Sequence, residues 1–469
     1  MHSPLFTMQG EIMKILVCLR IGPDGEISPF DECAYELALS VENAEVSLLT
    51  MGEIKVKDKL LSLTRLGAKT AYLLNDNAFV GSDTLATAYA LSLAVKKIKP
   101  DLVFCGRQSL IGDTAQTGVM LAQKLNFNLI TNVMSIESLD KNSIVCQTRD
   151  EGKISAKTPT LITVERINSL RLPSIRSKSG EVKVFSANDV NAQISKCGLS
   201  GSPTKVLDTK ENTSGKRKCK FITFEQLESV INSSLEKEQK KFENKITNQK
   251  LNKALCITNA PKKYAENLFE NIIIHEKNDV DSVVSKIKAE KPDAVLFGSD
   301  SVSKRVSALV AAKMDLGLCA DCTALQVASD TLYMIRPALS GSVIAKIKSE
   351  TKPALATVRT TKSSSNIVVS AGFGAKTSIE KVKKFAKKIS ADLGASRKCV
   401  DNGILPYEMQ VGLTGKTISP KVYIAIGISG AVHHIVGMSK SATVIAINPD
   451  KNAPIFEYAD YGIISEFNL

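Results

Sequence analysis

The sequence has no tryptophan, only four histidines, and an aromatic fraction of 5% over its 469 residues. Proteins that hold single-stranded nucleic acid stack bases on aromatic side chains, so this scarcity argues against such a groove despite a net charge of +13. The lysines alternate with glutamates along helical stretches such as SLEKEQKKFENK, which is typical of a solvated surface. We therefore expect no nucleic-acid partner.

The chain also lacks long hydrophobic runs. No apolar run approaches the roughly 20 residues that cross a bilayer, and the first residues lack the basic start and apolar centre of a secretory signal. Ten cysteines are scattered without framework spacing, as expected of reduced thiols. We therefore predict no stable membrane insertion and a cytoplasmic location.

No cluster of histidines and cysteines has the spacing of metal ligands, so no metal site is predicted. Cys319 and Cys322 form a C-x-x-C pair, but no partner pair and no thioredoxin-like strand and helix accompany it. Packed thiols are the favoured interpretation of these two cysteines.

An internal repeat organises the sequence. KPDLVFCGRQS, from Lys99, recurs as KPDAVLFGSDS, from Lys291, and amphipathic helical segments flank both copies at a nearly constant offset. Short β-rich apolar runs alternate with helical patterns in each copy, which predicts βαβ units and mainly parallel sheets. The repeat indicates tandem duplication of one α/β domain.

The predicted fold class is α/β, with two related nucleotide-binding-like α/β domains and a C-terminal doubly wound α/β domain. The tail has no counterpart in the first half, and the stretch between the copies is polar and dense in charge. The predicted boundaries are 13–200 for the first domain, 201–250 for a linker and exposed helical arm, 251–365 for a degenerate second copy, and 366–469 for the tail.

Three loops follow strand-like runs, at the edge where α/β sheets bind ligands. They are CGRQSLIGDTAQTG at 105–118, SAGFG at 370–374 and GISG at 427–430. The corresponding loop of the second copy, FGSDSVSKRVS, has lost the Gly-Asp-Thr and Gln-Thr elements. For the 105–118 loop, a βα turn with capping threonines and no ligand stays open. Neither tail loop is a full G-x-G-x-x-G, so each alone is weak evidence, but two such loops in one unit suggest a ligand with two phosphates.

The tail carries a longer pattern, GASRKCVDNGILPYEMQVGLTGKTISPKVYIAIGISGAVHHIVGM, followed by TVIAINPDKNAPIFEYADYGI. This pattern resembles the FAD-binding domain of the electron transfer flavoprotein alpha subunit. Residues 291–359, with TKPALATVR, are similar to the first domain of that subunit. The first half, with NDNAFVGSDTLATAYAL, CGRQSLIGDTAQTG and RLPSIRS, resembles the beta subunit. The resemblance covers residues 13–469 and implies both subunits fused, with the beta-like half first.

The resemblance implies an FAD site in the tail. Arg397, Thr414 and His434 would surround the isoalloxazine, where a guanidinium and a hydrogen-bonding imidazole stabilise the negative charge of the reduced ring. His433 would only flank this site; from its position alone, the histidine pair could equally face solvent or the core. The resemblance implies pyrophosphate contacts at Ser396, Ser429, Gly427 and Gly430, and further cofactor contacts at Gln410, Val411, Gly415, Asn448, Gly372 and Asp460.

The resemblance also implies a second nucleotide, AMP or a second FAD, in the first half. The implied contacts are Cys18, Met51, Gly106, Asp113, Thr114, Gln116 and Thr117. AQTG favours AMP and AFVGSDTLATAYAL favours a second flavin, so both remain open. The tail departs from many alpha subunits at Phe373, where they have arginine, and at Leu413, where they have glutamine; these changes could weaken flavin binding or shift its potential.

The function implied is electron transfer rather than catalysis, so we expect no catalytic acid or base. Flavin dehydrogenases of the acyl-CoA dehydrogenase type, as in fatty acid beta-oxidation, would dock at the 171–180 loop through Ile175. A quinone reductase or another acceptor would receive the electrons. Two alternatives stay open: a flavin-based electron-bifurcating complex that oxidises NADH, and a nucleotide-binding module without redox function.

Overall fold

The computed structural model describes residues 12–22, 24–109, 112, 114–211, 216–236, 249–339, 343–359, 366–412, 415–416 and 418–468. The chain divides into two compact units. The first unit comprises Met1–Asp208, Thr247–Arg336 and Ala345–Val358, and the second comprises Thr209–Ile246, Pro337–Ile344 and Arg359–Leu469. Both units contain helices and parallel sheets, so the predicted α/β class is confirmed.

The elements follow one another in the alternation that the sequence predicted. The strands are β1 (Met13–Cys18), β2 (Ala44–Met51), β3 (Thr70–Leu74), β4 (Leu102–Gly106), β5 (Asn128–Leu139), β6 (Ser143–Thr148), β7 (Gly152–Lys157), β8 (Thr160–Val164), β9 (Glu181–Phe185), β10 (Thr204–Glu211), β11 (Lys220–Phe221), β12 (Leu251–Ile257), β13 (Phe269–His275), β14 (Ala294–Phe297), β15 (Leu318–Cys322), β16 (Ala324–Ala328), β17 (Thr331–Ala338), β18 (Val343–Ser349), β19 (Ala354–Val358), β20 (Ile367–Ala371), β21 (Asp392–Ala395), β22 (Val422–Ile426), β23 (Thr443–Ile447) and β24 (Tyr461–Ile463). The helices are α1 (Pro29–Leu39), α2 (Lys57–Thr64), α3 (Thr84–Ile98), α4 (Thr117–Leu125), α5 (Phe224–Leu235), α6 (Lys262–Ala265), α7 (Val280–Glu290), α8 (Ser301–Met314), α9 (Ile379–Lys388), α10 (Arg397–Asp401) and α11 (Val432–Met438).

The duplication is visible in the strand order of the first unit. One sheet has the order β7-β6-β5-β8-β4-β1-β2-β3-β9 and another has the order β13-β12-β14-β19-β15. The second order matches β2-β1-β4-β8-β5 of the first, as two copies of one domain require. A further sheet, β10-β18-β17-β16, carries hairpin strands of the second copy.

The two copies share an apolar core. Helices α4 and α8 pack against each other, and the buried side chains of Leu121 and Val310 belong to the same cluster. Lys124 Nζ donates to the carbonyl of Ala312 at 2.8 Å and also pairs with Asp315. The corresponding helix of each copy therefore forms the interface between the copies.

The second unit is built on the parallel sheet β11-β24-β23-β22-β20-β21. Its central strands β20, β22 and β23 are buried along their whole length, which explains their β-branched and apolar composition. β21 follows β20 on one side, whereas β22, β23 and β24 extend the sheet on the other. The order of the strands thus reverses between β20 and β22, where doubly wound sheets open a ligand crevice at their carboxyl edge.

Part of the stretch that the sequence predicted as a linker and exposed arm is packed into this unit. β11 pairs with β24, and α5 buries Leu227 and Ile231 in the same cluster as Val422. Arg217 donates to the carbonyl of Ser441 at 2.6 Å and pairs with Asp460. The expectation of an exposed arm differs from the structure because it followed the charge-dense stretch after α5, whereas α5 itself places Leu227 and Ile231 one helical turn apart on a buried side.

Within the ranges described, no helix combines the length and the apolar character that crossing a membrane requires. The predicted boundaries at 200, 250 and 365 stay predictions.

Candidate functional site

The carboxyl edge of the second unit's sheet brings together most residues of the predicted flavin site. The register aligns Ala371 with Ile426 and with Ala395, and aligns Ile426 with Ile447. The strands therefore end at one level, and the loops that begin at Gly372, Ser396, Gly427 and Asn448 lie along a single edge.

Gly372 and Gly427 form the floor of the crevice between β20 and β22. A Cβ on Gly372 would lie 2.0 Å from the carbonyl oxygen of Gly427, and one on Gly427 would lie 2.5 Å from the amide nitrogen of Ala375. Gly374 N–H donates to the carbonyl of Gly427 at 3.1 Å. The two loops thus pack backbone on backbone, which only glycine allows, and Gly427 also has a positive φ of 62°.

Positive charge gathers beside this floor. Ser396 caps α10 by accepting from the amide of Cys399, which places Arg397 directly after β21. Arg397 Nε donates to Asp401 at 3.3 Å. Lys376 and Lys398 lie with their ammonium groups 4.9 and 4.6 Å from the centre of the Phe373 ring. The edge that Phe373 occupies is therefore cationic even though residue 373 itself is neutral.

The 410–416 segment folds against the end of β21. Val411 N–H donates to the carbonyl of Ala395 at 2.9 Å, and Lys416 N–H donates to that of Gln410 at 2.7 Å. Gln410 and Val411 are buried, and a Cβ on Gly415 would lie 2.3 Å from the Gln410 carbonyl oxygen. Thr414 and Leu413 lie outside the described residues.

The two histidines have different surroundings. His434 is 6% exposed and its Nε2 lies 2.7 Å from the hydroxyl of Tyr423. Burial lowers the pKa of His434 to about 4, so its ring is neutral at physiological pH, and its buried Nδ1 has no hydrogen bond. Burial and then the charge of Arg397 lower the pKa of His433, whose Nε2 is also buried without a hydrogen bond. His434 can therefore donate a hydrogen bond but supplies no charge, and His433 lies within the electrostatic reach of Arg397.

The remaining predicted residues divide between the two edges of the sheet. Ser429 is exposed beside the crevice, and Asn448 Nδ2 holds the same loop by donating to the carbonyl of Ile428 at 3.0 Å. Asp460 instead accepts from the amide of Val444, at the amino end of β23. Since the crevice lies at the carboxyl end, the structure does not bring Asp460 to the other predicted contacts.

These groups fit an FAD. The segments that follow β20, β21 and β22 carry the glycine floor, the guanidinium of Arg397, the exposed hydroxyl of Ser429 and the unpartnered Nδ1 of His434, which are the donor types that a pyrophosphate and an anionic ring require. Tyr423 is the residue that sequence reasoning missed. The available signal was a single tyrosine in the otherwise aliphatic strand VYIAI, which directly precedes the helix that carries the histidine pair.

A second crevice lies at the carboxyl edge of the first unit. Cys18 aligns with Cys105 on neighbouring strands, with Met51 at the end of the next strand, β2. Gly106 N–H donates to Asp31 at 3.1 Å, and Arg20 N–H donates to the same carboxyl at 3.0 Å. Burial raises the pKa of Asp31 to about 7, although the hydrogen bonds from those two amides lower it. Sequence reasoning missed Asp31, which the sequence alone does not distinguish from the neighbouring Glu32 in the first turn of the same helix.

The loop after β4 carries the rest of the predicted second site. Gln116 is 2% exposed and its Oε1 has no hydrogen bond, so a ligand with a donor would satisfy it. Thr117 begins α4, and Thr114 is half-buried on the loop before it. The next helix residue, Gly118, lies against Cys105, which places the start of α4 over the end of β4. Asp113 lies outside the described residues.

The corresponding edge of the second copy is filled by the protein itself. Asp300 caps α8, and Ser301 Oγ donates to Asp150 from the β6–β7 turn at 2.6 Å. Arg305 on the same helix pairs with Glu151. Carboxylates thus cover the helix start that would otherwise attract a phosphate.

The 171–180 loop presents its apolar residues to solvent. Ile175 is 98% exposed and Leu172, which sequence reasoning did not single out, is 90% exposed. Arg171 anchors the loop by donating to Glu36 at 2.7 and 3.0 Å, and this hydrogen bond raises the pKa of Arg171. The loop is fixed at one end and apolar at its tip.

Across the ranges that the structure describes, no group of three or more histidine, cysteine, aspartate or glutamate side chains is placed to hold a metal ion.

Two family models match the chain. The electron transfer flavoprotein domain matches residues 15–190 and again 277–385, and the electron transfer flavoprotein FAD-binding domain matches residues 363–439. One model therefore matches both repeated halves, which confirms the predicted duplication.

Curated relatives cover the two halves separately. The electron transfer flavoprotein subunit beta of Thermoanaerobacterium thermosaccharolyticum is 39% identical over 202 residues, covering 41% of this chain and 78% of the relative. The subunit alpha of the same organism is 34% identical over 226 residues, covering 38% and 68%. Protein FixA of Azorhizobium caulinodans is 38% identical over 232 residues, covering 41% and 83%. The beta-type match lies in the N-terminal half and the alpha-type match in the C-terminal half.

The glycine floor gives a test of the site's geometry. We expect Gly427→Ala to lower the free energy of unfolding of the second unit by about 3 kcal/mol or more, since it adds a backbone clash to an unfavourable φ. Gly403→Ala is the matched control, because Gly403 has a φ of 68° with nothing within 4 Å of an added Cβ. This control variant isolates the cost of placing a side chain at a positive φ, which is roughly 1 kcal/mol. Urea denaturation measures the free energy of unfolding of both variants, and hydrogen exchange of the β22 amides assigns the change to the second unit. Equal losses of stability in Gly427→Ala and Gly403→Ala would contradict the close approach of the two loops.

Proposed function

Because the chain belongs to the electron transfer flavoprotein family, we propose that it is a one-chain FAD-dependent electron carrier. It accepts electrons from flavin dehydrogenases of the acyl-CoA dehydrogenase type and passes them to a quinone reductase or another acceptor. The observation that carries this proposal is the crevice at the β20–β22 crossover; Arg397, Ser429 and His434 follow strands that end at that edge, within the region that the FAD-binding model matches.

Each residue of the crevice has a proposed role. FAD supplies one- and two-electron redox chemistry when it is bound. Ser396 and Ser429, with the amide of Gly430, hold the pyrophosphate, whereas Gly427, whose amide donates to the carbonyl of Ile447 at 2.9 Å, contributes the close approach of its loop. Arg397 supplies the positive charge that the reduced ring requires. The remaining contacts of this proposal are His434 as a neutral donor, Gln410, Val411, Gly415, Asn448 and Gly372 around the cofactor, and Thr414 beside the ring.

The effect of the Arg397 charge can be tested separately from the effect of the side chain's size. We expect Arg397→Met to lower the potential of the first one-electron reduction by about 60 mV, equivalent to 1.4 kcal/mol, because the charge that stabilises the reduced ring is lost. Arg397→Lys keeps the charge and should retain most of that potential. Lys384→Met, on the exposed side of α9, is the surface control. Spectroelectrochemistry measures all three, and an unchanged potential in Arg397→Met would reject the assigned role.

For the first unit we propose a bound AMP, with a second FAD as the alternative. The support is the half-open crevice beside Cys18 and Gly106 and the unpartnered Oε1 of the buried Gln116. Asp113 and Thr114 complete this proposed site.

Cofactor stoichiometry separates the candidate functions. One FAD and one AMP per purified chain is the result expected of the carrier. Two FAD per chain, with bleaching by NADH, would show an electron-bifurcating complex instead. A folded chain that neither contains nor takes up flavin would be a nucleotide-binding module without redox function. Quantification of released nucleotides by chromatography after denaturation distinguishes these outcomes.

We also propose that the 171–180 loop docks on the dehydrogenase through Ile175, with Leu172 beside it. A fully exposed isoleucine at the tip of an anchored loop gains roughly 2 kcal/mol when a partner buries it. A cytoplasmic location is proposed as well, since all ten cysteines are unpaired thiols and nearly all are buried.

Replacing Ile175 tests the docking role. Ile175→Ser should raise the KM of an acyl-CoA dehydrogenase for the chain roughly tenfold, while the flavin spectrum and potential stay unchanged. Ile194→Ser removes an exposed isoleucine elsewhere in the same unit and should leave the KM unaltered. Rates of flavin reduction are measured against the concentration of the chain. Equal KM values for both variants would reject the proposed docking loop.

A further inference from the structure

Three buried polar groups form a continuous line behind the flavin crevice. Ser370 lies on β20 and Tyr423 on the neighbouring β22, and both side chains are fully buried. The Ser370 side chain lies near enough to the Tyr423 phenol to oppose the rise that burial causes in the tyrosine pKa, but its hydroxyl makes no hydrogen bond in the structure. The Tyr423 hydroxyl in turn lies 2.7 Å from Nε2 of His434 on α11. The line ends at the imidazole, whose other nitrogen has no hydrogen bond.

The position of the imidazole proton follows from this line. His434 is neutral, because burial lowers its pKa to about 4, so only one of its two nitrogens carries a proton. Burial raises the pKa of Tyr423 well above its ordinary value, so the phenol is protonated. A buried hydroxyl proton needs an acceptor, and an unprotonated Nε2 provides one.

The opposite arrangement would place the His434 proton on Nε2 and a lone pair on Nδ1. That lone pair would then face the backbone carbonyl of Val411, which is near enough to raise the His434 pKa. Two acceptors facing each other in a buried position repel, whereas a proton on Nδ1 satisfies the contact. The Tyr423 hydroxyl at Nε2 and the Val411 carbonyl on the other side of the ring therefore favour the same arrangement.

We propose that Tyr423 is a positioning residue that donates its hydroxyl proton to Nε2 of His434 and so fixes the imidazole as the Nδ1–H tautomer. The nearby Ser370 side chain contributes to the polar environment of the phenol. Nδ1 faces the 410–412 segment, which is hydrogen-bonded to the end of β21 at the crevice. The contribution of the Nδ1 side of the ring to flavin binding, through the 410–412 segment, rests on the proposed function, whereas the tautomer, with Nδ1–H toward the Val411 carbonyl, is a property of the chain alone.

The scarcity of histidine makes the tautomer directly measurable. The full chain has four histidines, so selective 15N labelling of the imidazoles gives at most eight nitrogen signals, and His434→Gln identifies those of residue 434. Without added flavin, we expect a protonated Nδ1 and an unprotonated Nε2 for His434, unchanged between about pH 5.5 and 8. A protonated Nε2 in the unsubstituted chain would overturn the proposal without any variant.

Substitution tests the cause. Tyr423→Phe should move the His434 proton toward Nε2, and Ser370→Ala should shift the same signals to a smaller extent. Tyr458→Phe is the matched control, because Tyr458 packs against the same apolar cluster as Tyr423, and it should leave the signals unchanged. A Tyr423→Phe chain that keeps the native Nδ1–H signals would also overturn the proposal.

Flavin binding gives an independent readout. Loss of one neutral hydrogen bond in Tyr423→Phe should weaken FAD binding about fivefold, measured by equilibrium dialysis. If the unsubstituted chain binds no FAD, the proposed function fails while the tautomer measurement still stands. If FAD binds equally well to Tyr423→Phe and the Tyr458→Phe control, the assigned role of Nδ1 fails.

Discussion

The site depends on the backbone contact between the loops that follow β20 and β22. Parallel register ends the strands at one level, and the reversal of strand order between β20 and β22 leaves a gap there. Gly372 and Gly427 close the floor of this gap because neither has a side chain to hold the loops apart. Every other group of the site, from Ser396 to Asn448, takes its place from a strand whose end this contact fixes.

Around this floor, the charged groups and the neutral hydrogen-bonding imidazole lie at different depths. Arg397, Lys376 and Lys398 supply positive charge at the rim, where water still screens it. His434 lies deeper and is neutral, since burial without a carboxylate partner disfavours the imidazolium. Under the proposed function, bound flavin would gain from both, because the cations would stabilise the reduced ring and the buried donor would orient it. The covalent joining of the beta-like and alpha-like halves makes their α4–α8 contact intramolecular, so it does not depend on subunit concentration.

The sequence predicted the features that periodicity and repetition encode, and the structure and the comparisons confirm them: the α/β class, the duplication and the family. The crevice loops were singled out as well, but glycine after a β-branched run also occurs in ordinary turns, so their role in ligand binding stays a prediction. The packed arm was not predicted, because the lysines and glutamates that follow α5 in the sequence outweigh the apolar side of the helix itself. Asp31 and Tyr423 were missed because their roles arise from partners distant in the chain, Gly106 and His434. Asp460 was implied by resemblance alone, and only the register of β23 with β24 shows that it lies at the other edge.

The most direct test of the account is hydrogen exchange of the full chain with and without saturating FAD. We predict one FAD bound per chain through the second unit, with slower exchange in the segments 372–375, 396–399, 410–412 and 427–434 and no change along the amino edge near Val444. Slower exchange confined to other segments, or no difference on adding FAD, would show that the carboxyl edge at the β20–β22 crossover does not hold the flavin.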